Sequence, residues 1–136
     1  GETGTLRIYQ PESDALSGRH SAFADVSAHM TARYDEVPAR SLDEVFARNA
    51  VEACDLLKID VEGSEYAILH GASDATLARV ARIHGEYHDV APEDPRTRID
   101  AFATFLRARG YAVELVPHAS KPNLGLFFAA RREAAR

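Results

Sequence analysis

Tryptophan is absent, and cysteine occurs once, at Cys54 inside an apolar run. A single cysteine excludes an internal disulfide framework and fits a reducing compartment such as the cytoplasm. Long apolar runs are missing too. No stretch approaches the roughly 18 residues of a membrane-spanning helix, and no signal peptide is expected. The net charge is −5, with no basic run or stripe. That balance argues against a nucleic-acid backbone as the main partner. No internal repeat or low-complexity tract is present. No Gly-x-Gly occurs, so the phosphate cradles built on that spacing have no counterpart here. The opening "GETGTLRIY" reads as the middle of a domain, and a fragment of a longer domain is expected.

What is present suffices for a core. Apolar residues make up 46% of 136 residues, enough for one domain. "TLRIYQ" (5–10) reads as a strand ended by Pro11, and 11–27 as a polar loop. Residues 29–40 read as an extended segment. Ser41 and Glu44 form a capping box that opens a short helix over about 42–49. Residues 54–61 make an apolar strand, 64–69 a helix broken near Gly71, and 73–78 a second short helical piece. "VARIHGEYH" (80–88) is another strand. Asp94-Pro95 starts a helix running to Arg109, with Ile99, Phe102, Ala103 and Leu106 on one face and Gly110 as its C-terminal stop. Residues 111–118 are a strand. "LGLFFAA" (124–130) reads as a strand buried on both faces. This alternation is an α/β sheet with an antiparallel end.

Ligands of open α/β sheets bind outside the carboxyl ends of the strands. Asp60 and Glu62 stand where strand 54–61 leaves the sheet, and Glu86 and His88 at the same end of the next strand. If the two strands are neighbours, four polar side chains converge on one crevice. Structural roles are equally open from spacing alone. Lys58 and Asp60 share a face and can pair with each other or with Glu86. Glu62 and Glu65 flank a helix start, where the dipole favours acids, and a lone histidine is more often structural than catalytic. His20, His29, His70, His84 and His118 follow no ligand spacing. Asp89, Glu93 and Asp94 read as a solvated loop and a helix cap.

"LLKIDVEGSEYAILHGA" resembles the signature of the FkbM-type methyltransferases, matching at Lys58, Ile59, Asp60, Val61, Glu62, Gly63, Glu65, Leu69, Gly71 and Ala72. Leu42-Asp43 resembles the family's Leu-Asp element, and Glu86 with His88 its Glu-x-His strand end. The likeness covers nearly the whole chain. It implies the C-terminal half of a class I, Rossmann-like methyltransferase sheet. That half is mostly parallel with an antiparallel last strand, in spatial order four, five, seven, six. The glycine-rich and acidic elements that hold S-adenosylmethionine in such folds are expected upstream of Gly1.

The resemblance further implies O-methyl transfer from S-adenosylmethionine to a hydroxyl of a sugar or small natural product. Asp60 and His88 are the implied catalytic groups, Glu62 and Glu86 the substrate-binding ones, with Glu86 also able to orient His88. Asp60 and Gly63 face the cofactor. Hard cations prefer oxygen ligands, but no metal-ligand spacing joins Asp60, Glu62 and Glu86, and no metal is expected. Two other readings stand beside it: a non-catalytic scaffold or binding fragment, and a magnesium-dependent hydrolase, which lacks a phosphate loop. The resemblance implies that the strand pairing with 56–61 lies upstream of this chain. Self-association through the open edge, or unusual exposure of Leu57, Ile59 and Val61, is therefore expected.

Overall fold

The computed structural model describes residues 3–11, 30–89, 94 and 97–132. The chain begins with a two-stranded antiparallel sheet, β1 (Gly4–Pro11) against β2 (Met30–Ala39). The expected loop over 12–27, with His20, and also His29, Glu93 and Pro95, lie outside the described residues. Helix α1 (Leu42–Arg48) follows, where the capping box put it. Only half of that box forms directly: Glu44 N–H donates to Ser41 Oγ at 3.2 Å. The return limb passes through Thr3, whose hydroxyl accepts from Ser41 N–H and donates to the Glu44 carboxylate.

The main sheet has four strands in the order β3 (Leu57–Ile59), β4 (Arg82–His88), β6 (Lys121–Arg131), β5 (Tyr111–His118). Strand β3 runs parallel to β4, and β6 runs antiparallel to both β4 and β5. The result is a mixed α/β sheet compatible with part of a methyltransferase-like fold. Its order is the one that the resemblance implies for strands four to seven. Strand β3 is shorter than expected; Cys54 meets Val80 only in an isolated parallel bridge.

Helices α2 (Glu65–His70), α3 (Asp74–Ala78) and α4 (Ile99–Ala108) complete the described elements. Ser73 caps α3 as its side chain accepts from Thr76 N–H. Asp43 of α1 accepts from Ser73 N–H at 3.1 Å. These bonds, with the Thr76 hydroxyl first, hold the Asp43 carboxyl below its ordinary value. The Leu-Asp element is therefore a brace between α1 and the start of α3. Helix α4 starts later than the Asp94-Pro95 signal suggested. Its first donor, Ile99 N–H, is taken by Asp89 Oδ1 at 3.1 Å. Asp89 is thus a built cap rather than a solvated loop residue.

The core lies on one face of the sheet. Ile59, Ile83, Tyr87, Phe127, Ala129 and Tyr111 meet Tyr66, Leu69, Leu77, Phe102 and Leu106 from the helices. Phe102 packs edge-on against both Tyr66 and Phe127, with ring centroids 5.0 and 5.3 Å apart. The buried Tyr111 hydroxyl donates to the carbonyls of Leu77 and Val80, which satisfies the end of α3. Strand β6 is not buried on both faces. Phe127 and Ala129 are enclosed, whereas Leu126 on the other face is 43% exposed. The apolar run reads as doubly buried because its outer positions are also apolar, not because anything described covers them. Just before β3 the apolar Leu56 is 48% exposed; Ile59 is buried, and Leu57 and Val61 are half-buried. The alternation turns Leu57 and Ile59 towards the helices.

Two glycines make the β4–β6 pairing possible. Gly85 stands opposite Phe127, and Gly125 opposite Tyr87. A Cβ on Gly85 would overlap the Phe127 ring and come within 2.7 Å of Ile59 Cγ2; one on Gly125 would sit 2.6 Å from the Tyr87 ring. Each ring lies across the bare backbone of the facing strand. Gly85→Ala should therefore destabilise by about 1–3 kcal/mol, as overpacking does. Gly4→Ala, with nothing within 4 Å of its Cβ, should be near neutral. Chemical denaturation of both variants checks the contrast, and equal stability would refute the interlock.

Candidate active site

The parallel register sets Lys58 against His84 and Ile59 against Gly85. Continued along both strands, it brings Asp60 beside Glu86 and Glu62 beside His88. The structure places these residues in two adjoining rows at the carboxyl ends of β3 and β4. Asp60 and Glu86, with Lys58, Leu56, Leu126 and Phe128, line a cavity of about 270 Å³ on the open face. Asp60 also forms an exposed ion pair with Lys58 at 3.8 Å. Such a pair contributes little in water.

The second row is far less exposed. His88 Nδ1 lies 3.0 Å from Glu65 Oε1, and His88 Nε2 lies 3.6 Å from Glu62 Oε2. Glu65 is fully buried. Its carboxylate accepts Val61 N–H at 3.2 Å and Gly63 N–H at 3.0 Å. With both oxygens already acting as acceptors, Glu65 takes a further hydrogen from His88 Nδ1, which therefore carries the proton in the neutral ring. Nε2 keeps its lone pair and faces Glu62. The group that orients His88 is thus Glu65, not Glu86.

A tight turn links this row to β3. Ser64 N–H donates to Val61 carbonyl at 3.2 Å, and the two residues between, Glu62 and Gly63, have φ of 50° and 105°. Gly63 adopts its angle without a Cβ clash; Glu62 occupies the left-handed region at a cost. The Glu65 carboxylate holds that turn by accepting N–H groups on both sides of Glu62.

Glu65 is the residue that single-sequence reasoning passed over. It matches the family signature, but from spacing it reads as one acid among several near a helix start, and no site role falls to it. Its signal was its place, two residues after Gly63 at the first turn of α2, followed at once by buried Tyr66. Tyr66 was also missed: its hydroxyl donates to Asp89 Oδ1. Burial first, and then that bond, push the Tyr66 pKa far above its ordinary value. Among the described residues, no group of three or more His, Cys, Asp or Glu side chains has metal-holding geometry.

Burial alone would lower the His88 pKa. The Glu65 hydrogen bond and the charges of Glu65, Glu62 and Glu86 outweigh it, so the value lies above the ordinary 6.5. A raised folded value means that charged His88 contributes stability below the unfolded pKa. That contribution is lost as pH rises through the folded one. His88→Gln should therefore cost more stability near pH 6 than near pH 9. Urea denaturation at the two pH values measures this, and a cost independent of pH would show that the carboxylates do not hold the charge.

A family model described as the methyltransferase FkbM domain matches residues 3–113. The AMB antimetabolite synthetase AmbE of Pseudomonas aeruginosa is 41% identical over 119 residues, which is 85% of this chain and 6% of that protein. The 31-O-demethyl-FK506 methyltransferase FkbM of Streptomyces tacrolimicus is 45% identical over 49 residues, 36% of this chain and 19% of that enzyme. The chain thus spans less than a fifth of the length of either relative. No solved structure matches.

Proposed function

Because the chain belongs to the FkbM methyltransferase family, we propose that it forms the acceptor side of a domain that methylates a hydroxyl, with His88 taking the hydroxyl proton. The observation that carries this reading is the His88 imidazole held between Glu65 and Glu62 where two parallel strands end. A general base needs a lone pair at a fixed place, which the Nδ1–Glu65 bond supplies; the surrounding carboxylates also favour proton uptake by raising the His88 pKa against the effect of burial. His88 outranks Asp60 for this role. The Asp60 side chain is 42% exposed and already paired with Lys58, which leaves Asp60 and Glu86 to hold acceptor hydroxyls.

S-adenosylmethionine is the methyl donor in this reading; when bound it supplies a methyl group already activated on a sulfonium. The described residues do not fit the whole of it. Asp60 and Glu86 suit a positive sulfonium by charge, but no glycine cradle lies among these residues, and their cavity is below the size usual for a cofactor pocket. The remaining contacts would come from elsewhere in a complete domain. Transfer to an oxygen is supported by the relative named as a methyltransferase of a 31-O-demethyl compound; a sugar or small natural product is the acceptor class in this reading. The match to a small part of a much larger synthetase supports a module embedded in a longer protein.

In the full protein, His88→Gln should lower methyl transfer by on the order of 10²–10⁴-fold, while S-adenosylmethionine affinity stays nearly unchanged. Asp60→Asn should act mainly on acceptor KM. Turnover with a radiolabelled methyl donor and titration calorimetry separate these effects. Wild-type turnover in His88→Gln would remove His88 from the chemistry. A loss confined to cofactor affinity would move His88 to the donor side.

A further inference from the structure

We infer that Glu65 is the positioning residue of this site: one buried carboxylate fixes the tautomer of His88 and, at the same time, the strained turn that carries Glu62. The inference deepens the reading of His88 as base and rests on it for its effect on turnover. Its geometry stands independently.

Three observations carry it. First, Glu65 is fully buried although it bears a carboxylate. Burying a charge is costly unless it is paired and hydrogen-bonded, and a turn alone can be held by a neutral amide or hydroxyl. A carboxylate is warranted where a positive charge must be met, and its partner is His88 at 3.0 Å. Second, the same carboxylate accepts Val61 N–H and Gly63 N–H. Those bonds bracket Glu62, a non-glycine residue at φ 50°. Third, the turn so held puts Glu62 Oε2 3.6 Å from Nε2, the nitrogen left without a proton. Glu65 therefore sets which nitrogen is basic and also where the carboxylate facing that nitrogen sits.

In the transfer step the acceptor O–H bond breaks, its proton goes to Nε2, and its electron pair stays on oxygen as the nucleophilic pair. The imidazolium so formed has Glu65 on Nδ1–H and Glu62 on Nε2–H. After transfer it returns the proton to water.

Substitution by glutamine separates this role from simple packing. In Glu65→Gln the side chain keeps its volume, and its amide oxygen keeps the Oε1 place, where it accepts Val61 N–H and faces Nδ1, but the negative charge is gone. That oxygen still accepts from Nδ1–H, but the ring loses the charge that stabilises its imidazolium. In the full protein, Glu65→Gln should lower kcat on the order of 10²-fold, with little change in KM. It should move the acid limb of the kcat profile to lower pH, as the His88 pKa falls with loss of the charge. Glu65→Asp should restore part of both. Nitrogen-15 NMR of the histidine rings reads the tautomer directly.

The expected results are Nδ1–H in the wild type and in Glu65→Gln, with a lowered titration midpoint for His88 in the variant. A wild type in the Nε2–H form overturns the inference even if Glu65→Gln does not fold. A folded Glu65→Gln with the His88 titration unchanged overturns it as well. If His88 changes as expected and turnover does not, Glu65 still positions His88, and the reading of His88 as base is what fails.

Discussion

The carboxyl end of the sheet depends on one group with no access to water. Glu65 lies at the start of α2, and everything at the exit of β3 is arranged about its two oxygens. They stop Val61 and Gly63 from losing their hydrogen bonds where the chain leaves the ladder. They take the Nδ1 hydrogen of a histidine from the next strand. A buried carboxylate with fewer partners would be costly; with these partners it ties a strand end, a helix start and a neighbouring strand into one unit. The adjacent row shows the contrast. Lys58 and Asp60 also pair, but at 3.8 Å and exposed by 78% and 42%. Water screens that pair, so it can open to an incoming ligand at little cost.

The frame under the site is set by shape rather than charge. Gly85 and Gly125 face Phe127 and Tyr87 across the β4–β6 ladder, so each ring covers a residue with no side chain. This interlock fixes the register of β6 on β4, because a one-residue slip would put each ring against a Cβ and turn the buried side chains outward. With β6 fixed, Phe127 meets Phe102, and α4 is drawn onto the sheet. Asp89, one residue past β4, then caps α4 through Ile99 and holds Tyr66 of α2. The segment that ends in His88 thus anchors both helices flanking the site.

Much of this was legible in the sequence. The elements, the helix starts at Ser41 and Ser73, the Gly110 stop and the strand order all follow from local patterns and from the resemblance. The convergence of Asp60 with Glu86 and of Glu62 with His88 follows once β3 and β4 are neighbours. Three features did not follow. Glu65 could not be told from its acidic neighbours, because spacing does not report which carboxylate is buried. The role of Asp89 depends on where α4 returns, a tertiary fact. The outer face of β6 reads as buried because Leu126 and Phe128 are apolar, and apolarity records what a position can lose to burial, not whether anything covers it.

That uncovered face bears on how the two rows divide the work. Leu56, Leu126 and Phe128 surround Asp60 and Glu86, so anything that covers the face removes water from those acids as well. Desolvation strengthens every charge interaction it encloses. The Glu65–His88 pair is already enclosed and would change little. The Lys58–Asp60 pair would change most, from a screened contact to one that either binds a ligand or holds together. The base role proposed for His88 is thus prepared by the fold itself, while the acceptor contacts proposed for Asp60 and Glu86 depend on what closes over them.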